Sequence, residues 1–225
     1  ADSDLIRVQD QCLVGSGVPG APCEHGIANL SYRSPNWGDN FALVLNWRSS
    51  VSYVAGSHSL KVGYQGSHLG DNRIGYSNSS ALTYRFNNGV PNQLTQTLNG
   101  FTAKQRVRTA AFYAQDAWTV GRMTLLGALR YDRAWSYFPE QTVGPHVFFP
   151  TAKTYPHTKG STYNDLAPRG GAAIDVFGNG KTSLKLNFGR YLEAAQNGGF
   201  FITNNPTGRL QTTSSRTWGD ADQDF

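Results

Sequence analysis

The chain has 225 residues, which suits one large β domain, and its composition excludes several classes of protein. Charged residues make up 16% and hydrophobic residues 39%, both below the usual globular shares, while Gly (25), Tyr (11), Phe (12) and Trp (5) are abundant. The net charge of +5 is mild and the basic residues are scattered, so we expect no nucleic-acid partner. No apolar run approaches the roughly 20 residues that a membrane helix needs.

Residues 1–40 are expected to be a loop-rich N-terminal part, within which Ile27 to Arg33 is compatible with a short strand. This part contains Cys12 and Cys23 in the stretch CLVGSGVPGAPC, and a pair isolated in this way predicts a disulfide in an oxidising compartment. Two free thiols are the alternative, and a metal site would need more ligands than His25 supplies. The chain begins without Met or a signal peptide, so we expect a fragment or a processed product.

Three pairs of segments show the alternation of apolar and polar residues that predicts a β-hairpin. A strand sends successive side chains to opposite faces, so each predicted hairpin has an apolar side and a polar side. Leu184, Leu186 and Phe188, for example, share one side of their strand, and Lys185 and Asn187 share the other. The hairpins join 41–53 to 60–64, 109–120 to 123–133, and 171–177 to 183–188, across short turns at Gly56, Gly121 and Asn179.

The connections between these hairpins are long. Residues 70–106 are polar and include a further hairpin, 81–98, across Asn87-Asn88-Gly89, whereas 134–162 form a loop with several prolines and 195–225 a loop-like tail. Outer-membrane barrels combine short periplasmic turns with long outer loops, and compact soluble domains rarely repeat loops of this length. The pattern therefore indicates an all-β fold of antiparallel hairpins, and an outer-membrane-type β-barrel is one of two architectures that fit it equally well. A soluble β-sandwich with long binding loops is the alternative.

In such a barrel the apolar sides contact lipid and the polar sides line the interior. The residues expected to contact lipid are Leu125, Leu129, Leu184, Leu186 and Phe188. Those expected to face inward are Arg130, Asp132, Lys185 and Asn187, with interior ion pairs predicted between Arg130 and Asp132 and between Arg108 and Asp116. The aromatic residues expected to form interfacial girdles are Tyr53, Trp118, Tyr131, Trp135, Tyr137 and Tyr191.

Three segments resemble the β-barrel of TonB-dependent outer-membrane receptors, especially the large type with a carboxypeptidase-regulatory-like N-terminal domain. They are SVSYVAGSHSLKVGYQ at 50–65, AAFYAQDAWTVGRMTLLGALRYDR at 110–133 and LAPRGGAAIDVFGNGKTSLKLNFGRYLEA at 166–194. The phrases YAQDAW…LRYDR and PRGGAAIDVFGNGKT carry most of the resemblance, and the loop phrase YRFNNGVPNQLTQ agrees with it. The family implies a plug-filled barrel of about 22 strands. The resemblance favours the barrel over the sandwich. Six spanning strands are recognisable here, or eight to ten with the loop hairpin and Ile27 to Arg33, so we expect a single barrel segment.

The resemblance also implies a function. A segment of this kind would belong to a receptor in the bacterial outer membrane that takes up a bulky substrate, such as an oligosaccharide or a metal chelate, with an energy-coupling TonB-type partner. A soluble carbohydrate-binding or glycoside-hydrolase-like domain is the alternative. Side chains in the long loops would supply stacking and hydrogen bonds to the ligand. The candidates are Tyr84, Asn87, Trp135, Phe148 and Tyr155.

Catalytic and metal motifs are weak in this sequence, and we expect neither an enzyme nor a cofactor. Asp165 and Asp175 are candidates for opposed glycosidase carboxylates, although nothing in the sequence fixes their separation. Asp220, Asp222 and Asp224 have the alternate-acid spacing of a calcium loop but lack the Gly and the terminal Glu of an EF-hand. A solvated acidic loop is therefore expected there, with calcium binding as the alternative.

Overall fold

The computed structural model describes residues 6–10, 30–32, 36–98 and 100–222. Within these residues the fold is all-β, with two short 3-10 turns at Gly199–Phe201 and Thr207–Arg209. The predicted disulfide between Cys12 and Cys23 and the third acid of the tail, Asp224, lie outside the described residues. The strands are β1 (Arg7–Asp10), β2 (Leu30–Tyr32), β3 (Asn36–Ala55), β4 (His58–Ser77), β5 (Leu82–Asn87), β6 (Val90–Thr97), β7 (Thr102–Val120), β8 (Met123–Phe138), β9 (Gln141–Val143), β10 (Lys153–Tyr155), β11 (Thr158–Asp175), β12 (Ser183–Gly189) and β13 (Thr213–Thr217).

Six long strands form the main sheet, in the order β12-β11-β8-β7-β4-β3. All neighbours in this sheet are antiparallel, and each strand pairs with the one before or after it among the six. This is the predicted series of three hairpins, joined edge to edge. In the part of the chain that the structure describes, β3 and β12 are the two open edges, and they do not pair with each other.

The tight turns form where glycine permits a left-handed backbone. Gly56 has φ +59° in the β3–β4 turn, and Gly121 has φ +56° in the β7–β8 turn. The loop hairpin β5–β6 turns as its sequence predicted, because Asn88 and Gly89 both have positive φ, +52° and +77°, the signature of a type I′ turn. The third turn is capped by Asp175, whose carboxylate accepts hydrogen bonds from backbone N–H groups that follow it.

The strands extend much further from the tight turns than their alternation predicted. β4 continues to Ser77, β7 begins at Thr102, β8 continues to Phe138 and β11 begins at Thr158. The expectation that 70–106, outside its hairpin, and 134–162 were loops was therefore wrong at both ends of each range. Polar residues interrupt both faces of the β4, β7 and β11 extensions, and the short β8 extension mixes Trp135, Tyr137 and Phe138 with Ser136. The extensions therefore lack the regular apolar alternation that marks a strand in a sequence.

A second, five-stranded sheet is built from the connections, in the order β13-β6-β5-β1-β2. Its centre is non-local: β1 pairs parallel with β5, with Arg7 opposite Thr83, and β13 pairs antiparallel with β6. Leu30–Tyr32 forms the short strand expected between residues 27 and 33, within the described residues. The N-terminal part and the tail, both expected to be loop-like, thus each contribute strands to this sheet. β9 and β10 form a separate two-stranded ribbon.

The register gives the main sheet two chemically different faces. Leu129 pairs with Pro168, Leu125 with Ala172, and Ala172 in turn with Leu186, so the predicted apolar residues share one face. We call this the outer face. The inner face carries Arg130, Asp132, Lys185 and Asn187, as predicted from the two-residue period. Among the described residues no helix is both long enough and apolar enough to span a membrane.

Candidate functional site

A cavity of about 800 Å³ lies against the inner face of the main sheet. Residues from β3 line this cavity together with residues that follow β12. A neighbouring cavity on the same face is lined both by Arg48 of β3 and by Asn187 of β12, although four strands separate these two edges. A flat sheet could not bring both edges to one cavity, so the sheet is strongly curved with its inner face concave. The polar and charged residues of the lining are Asn46, Arg48, Gln65, Ser67, Thr109, Arg130, Asp132, Arg133, Tyr163, Arg169 and Glu193.

An ion pair organises the middle of this cavity. Arg130 grips Asp132 in a bidentate arrangement, with Nε 2.7 Å from Oδ2 and Nη2 2.7 Å from Oδ1. Both side chains point to the inner face because they are two residues apart on β8. Gln65 on β4 completes the cluster: with its amide oxygen turned toward the guanidinium, it accepts a hydrogen bond from Arg130 Nη1 at 3.0 Å. The predicted Arg130–Asp132 pair is confirmed, and it is a rigid part of the lining.

Two inner-face cations of the lining, Arg48 and Arg169, stay available to a ligand. Arg48 and Arg169 form no ion pair with a carboxylate among the described residues. Arg169 instead lies over the ring of Tyr191, with its guanidinium carbon 4.6 Å from the ring centroid. Asp165, a carboxylate on the inner face of β11, pairs with Arg190 at 2.7 Å. The cavity therefore combines uncompensated positive charge with a planar guanidinium–aromatic stack, features that suit polar or anionic ligands.

A buried polar cluster stabilises the cavity wall at the end away from the tight turns. Gln141 accepts hydrogen bonds from the backbone N–H of Lys104 (2.7 Å) and from Thr207 Oγ1 (2.9 Å), and it donates to Asn205 Oδ1 (3.1 Å). Asn205 Nδ2 in turn donates to the Lys104 carbonyl at 3.3 Å. Phe201, in the preceding 3-10 turn, packs with Val107 in the small core above the cavity. These contacts hold residues 199–209 over the sheet, so the segment is an ordered part of the site.

The five predicted ligand contacts do not meet in one place, and none of them lines this cavity. Tyr84 and Asn87 lie on β5, and Tyr84 packs against Trp218 with ring centroids 4.9 Å apart. Trp135 lies on the outer face of β8, under the guanidinium of Arg133. Phe148 and Tyr155 remain in the connection between β8 and β11, where Phe148 is exposed and Tyr155 lies beneath Lys153.

The loop that bears Phe148 closes on His146. The backbone N–H of Phe148 points to His146 Nδ1 at 3.4 Å, and His146 and Phe149 form an isolated β-bridge. Partial burial lowers the pKa of His146, because desolvation disfavours its charged form. The accepting Nδ1 is consistent with a neutral ring. A folded-state pKa below the unfolded value stabilises this loop above the unfolded pKa, and acid removes that contribution.

Two predicted pairings and one predicted girdle position were wrong. Asp116 does not pair with Arg108: both lie on the outer face of β7, and Asp116 instead binds His58 Nδ1 at 2.7 Å. Asp165 and Asp175 lie ten positions apart on one strand, about 33 Å at roughly 3.3 Å per residue, far beyond the roughly 5–10 Å of glycosidase pairs. Tyr191 lies on the cavity side with Arg169, not in an outer girdle.

The structure adds no support to the metal-binding hypothesis. The residues that the structure describes include no group of three or more His, Cys, Asp or Glu side chains able to hold a metal ion. Asp220 and Asp222 follow β13 in the tail, and the calcium hypothesis involving Asp224 stays a hypothesis. The residues that the sequence did not single out as a site are Arg48, Gln65, Tyr163 and Arg169. Their positions on the polar sides of alternating strands were the available signal.

A curved antiparallel sheet with an apolar convex face, a polar concave face and short turns at one end defines the class of outer-membrane β-barrel proteins. A family model described as "Outer membrane beta barrel domain" matches residues 12–224, and the chain belongs to that family. It is accordingly a protein of the bacterial outer membrane, with its outer face in a lipid environment, and the soluble β-sandwich is excluded. No curated protein and no solved structure matches the chain.

Proposed function

We propose that this chain is part of an outer-membrane receptor that binds a bulky polar substrate in the inner cavity and takes it up. The observation that carries the proposal is the cavity of about 800 Å³ on the polar face, with Arg48 and Arg169 not neutralised by carboxylates among the described residues. A sheet that only anchored the protein in the membrane would have no need of such a lining. Oligosaccharides and metal chelates both match its size and polarity.

The finer assignment is to a TonB-dependent receptor, with an energy-coupling TonB-type protein as partner. It is supported by the resemblance of the segments 50–65, 110–133 and 166–194, which provide parts of all six strands of the main sheet. In such a receptor the cavity binds substrate without energy input, and transport requires the partner. Binding and uptake therefore respond differently to loss of the proton gradient.

Calorimetric titration of the detergent-purified protein with maltooligosaccharides and with ferric hydroxamate chelates tests the binding site. We expect at least one of these ligand classes to bind, and Arg169→Gln to weaken its binding by about tenfold, because the variant loses a guanidinium that presents both charge and a planar face. Lys153→Gln, which removes a cation from the β9–β10 ribbon, is the matched control. Equal affinities for wild type and Arg169→Gln would place the ligand elsewhere.

The loop aromatic residues Phe148 and Tyr155 are a second candidate contact, because both lie in the outer connection that a ligand would meet first. Phe148→Ala and Tyr155→Ala distinguish the two sites in the same titration: a loop site loses affinity in these variants, whereas a cavity site does not. Energy coupling is measured in cells. A protonophore should abolish uptake and leave surface binding unchanged, and uptake that persists would contradict TonB dependence.

A further inference from the structure

A cationic belt lies on the outer face of the sheet, at the end away from the tight turns. Three successive register rows of the sheet form it. Arg133 is in the first row, Arg108 lies beside Trp135 in the second, and Arg106 in the third row is followed across β8 by Tyr137 and Lys159. We call these residues the belt, with Arg106, Arg108, Arg133 and Lys159 as its cations.

On β4, β7, β8 and β11 the belt begins where the apolar surface ends, whereas on β3 exposed apolar side chains continue through the belt rows as Trp47, Leu45 and Leu43. The row directly below Arg133 consists of Tyr64, Phe112, Tyr131 and Leu166, with Ser49 on β3. From Phe112 to Val120, β7 runs for eight residue steps, about 27 Å at roughly 3.4 Å per step. Strands tilted by about 40° span roughly 20 Å of membrane over that length, close to the apolar band of an outer-membrane barrel.

The belt cations are not neutralised by acids on their own face. None of the three rows contains an Asp or Glu, and the inner-face acids Asp132 and Asp165 point to the opposite side of the sheet. Arg106 is held by oxygen atoms of neutral groups, with Nη1 2.9 Å from Asn72 Oδ1 and 2.8 Å from the Gln105 carbonyl. Arg108 donates from Nε to His68 Nδ1 at 3.2 Å, so that nitrogen carries no proton.

Aromatic rings alternate with the guanidinium groups and hold them in place. Arg133 lies over the Trp135 ring at 5.2 Å, and Arg108 lies over the Tyr137 ring at 5.3 Å. Stacking of this kind leaves the N–H edges of a guanidinium free to bind phosphate oxygens in pairs. Arg108, Arg133 and Lys159 are exposed, so these edges are accessible from the membrane side.

We propose that the belt binds the phosphate-bearing headgroups of lipids in the outer leaflet. The tight turns mark the periplasmic end of a barrel of this family, so the belt lies at the outer leaflet, at the level where the apolar surface ends and headgroups begin. A phosphorylated lipid satisfies both parts of this surface, with its chains on the apolar face and its phosphate on the arginines. The belt thus fixes the height of the sheet in the membrane and selects its lipid neighbours.

Lipid retention tests this proposal. The protein is equilibrated in mixed micelles of phosphatidylcholine and phosphatidic acid, exchanged into neutral detergent, and its bound lipids are counted by native mass spectrometry. We expect wild type to retain phosphatidic acid preferentially. Arg108→Gln with Arg133→Gln should lower that preference by roughly 30-fold, because each arginine near anionic headgroups strengthens lipid binding by about five- to sixfold. An excess of inorganic phosphate should not displace the lipid, because it lacks the chains.

The matched control is Lys153→Gln with Arg216→Gln, which removes the same charge from the β9–β10 ribbon and from β13, and it should retain lipid as wild type does. Heat-modifiable migration in gels reports folding of each variant. If the double belt variant does not fold, Arg133→Gln alone carries the test, and Arg108→Lys with Arg133→Lys should keep most of the preference. Equal retention of the two lipids by wild type, equal loss in the control, or displacement by inorganic phosphate would each overturn the proposal.

Discussion

Glycines in the main sheet are covered by aromatic rings from neighbouring strands. A Cβ placed on Gly66 would lie 2.7 Å from the indole of Trp47, which is its pairing partner on β3. The Tyr113 ring covers Gly63 and the Phe188 ring covers Gly170 in the same way. A ring lying flat on a glycine shields the backbone and fixes the register, so these glycines are required by packing across strands and not by turns.

Gly66→Ala should destabilise the protein by about 1 to 3 kcal/mol, because the new methyl group must displace the Trp47 ring. Gly127→Ala is the control on the same face, since no atom lies within 4 Å of the place that its new methyl group would take, and it should be neutral or slightly stabilising. Urea unfolding of both variants in lipid vesicles measures the difference. A Gly66→Ala variant as stable as Gly127→Ala would contradict this packing.

A carboxylate on the outer face is a second feature at this scale. Asp116 shares its register row with Leu60 and Gly127, the third of the five apolar rows, and therefore lies near the middle of the lipid band. His58, stacked on Trp118 with ring centroids 5.5 Å apart, binds it at 2.7 Å. Removing one partner leaves a buried polar group in lipid, which costs more than removing both.

His58→Leu alone should therefore destabilise the inserted protein by about 2 to 4 kcal/mol, whereas His58→Leu combined with Asp116→Leu should recover most of that loss. The four proteins of this double-mutant cycle are compared by reversible unfolding in vesicles. Additive effects of the two substitutions would show that Asp116 and His58 do not interact across the lipid face.

At the scale of the strand, the two faces of β12 give a direct contrast. Leu186 lies on the outer face, one row from the middle of the band, and its neighbour Asn187 lies on the inner face opposite Gly171. Leu186→Arg should cost about 1 to 3 kcal/mol and slow insertion, because the charge enters hydrocarbon. Asn187→Arg should insert normally, since its side chain reaches the cavity. Equal insertion yields in vesicles would show that the two faces are not lipid and interior.

Much of this element-level order could be read from the sequence, and the reason is periodicity. The six spanning strands follow from the alternation of apolar and polar residues, and their three tight turns follow from the glycines between them. Both signals act over a few residues. The strand extensions beyond Gly66 and Ala110 could not be found in this way, because polar residues interrupt the apolar alternation on both of their faces. The parallel pairing of β1 with β5 is set by contacts some 75 residues apart, for which local sequence holds no signal.

The candidate site was predictable only in part. The Arg130–Asp132 pair is two residues apart on one strand, so its geometry is local and was recognised. Arg48 and Arg169 lie on different strands that meet only because the whole sheet curves. Curvature depends on register and twist summed over six strands, and no single segment encodes it. The aromatic loop residues were selected by composition, which does not say where a folded connection packs.

Curvature of the whole sheet can be measured across one register row. Val54 on β3 and Asn187 on β12 are inner-face members of the same row, five strand spacings apart. A flat sheet would separate them by about 24 Å at roughly 4.8 Å per step. Spin labels at Val54→Cys and Asn187→Cys, with Cys12 and Cys23 replaced by Ser, should report a shorter backbone separation. A separation of 24 Å or more would contradict the concave cavity.

The open edge at β3 has a consequence for the order in which the protein assembles. All of its described side chains are exposed, and among the residues that the structure describes its backbone pairs with β4 alone. Water can solvate such an edge, but hydrocarbon cannot, and each unsatisfied backbone group there costs several kcal/mol. Full entry into the bilayer therefore requires that another strand first pairs with Asn36–Ala55. Hydrogen bonding along this edge therefore precedes insertion. An assembly intermediate that lacks these hydrogen bonds would remain at the membrane surface.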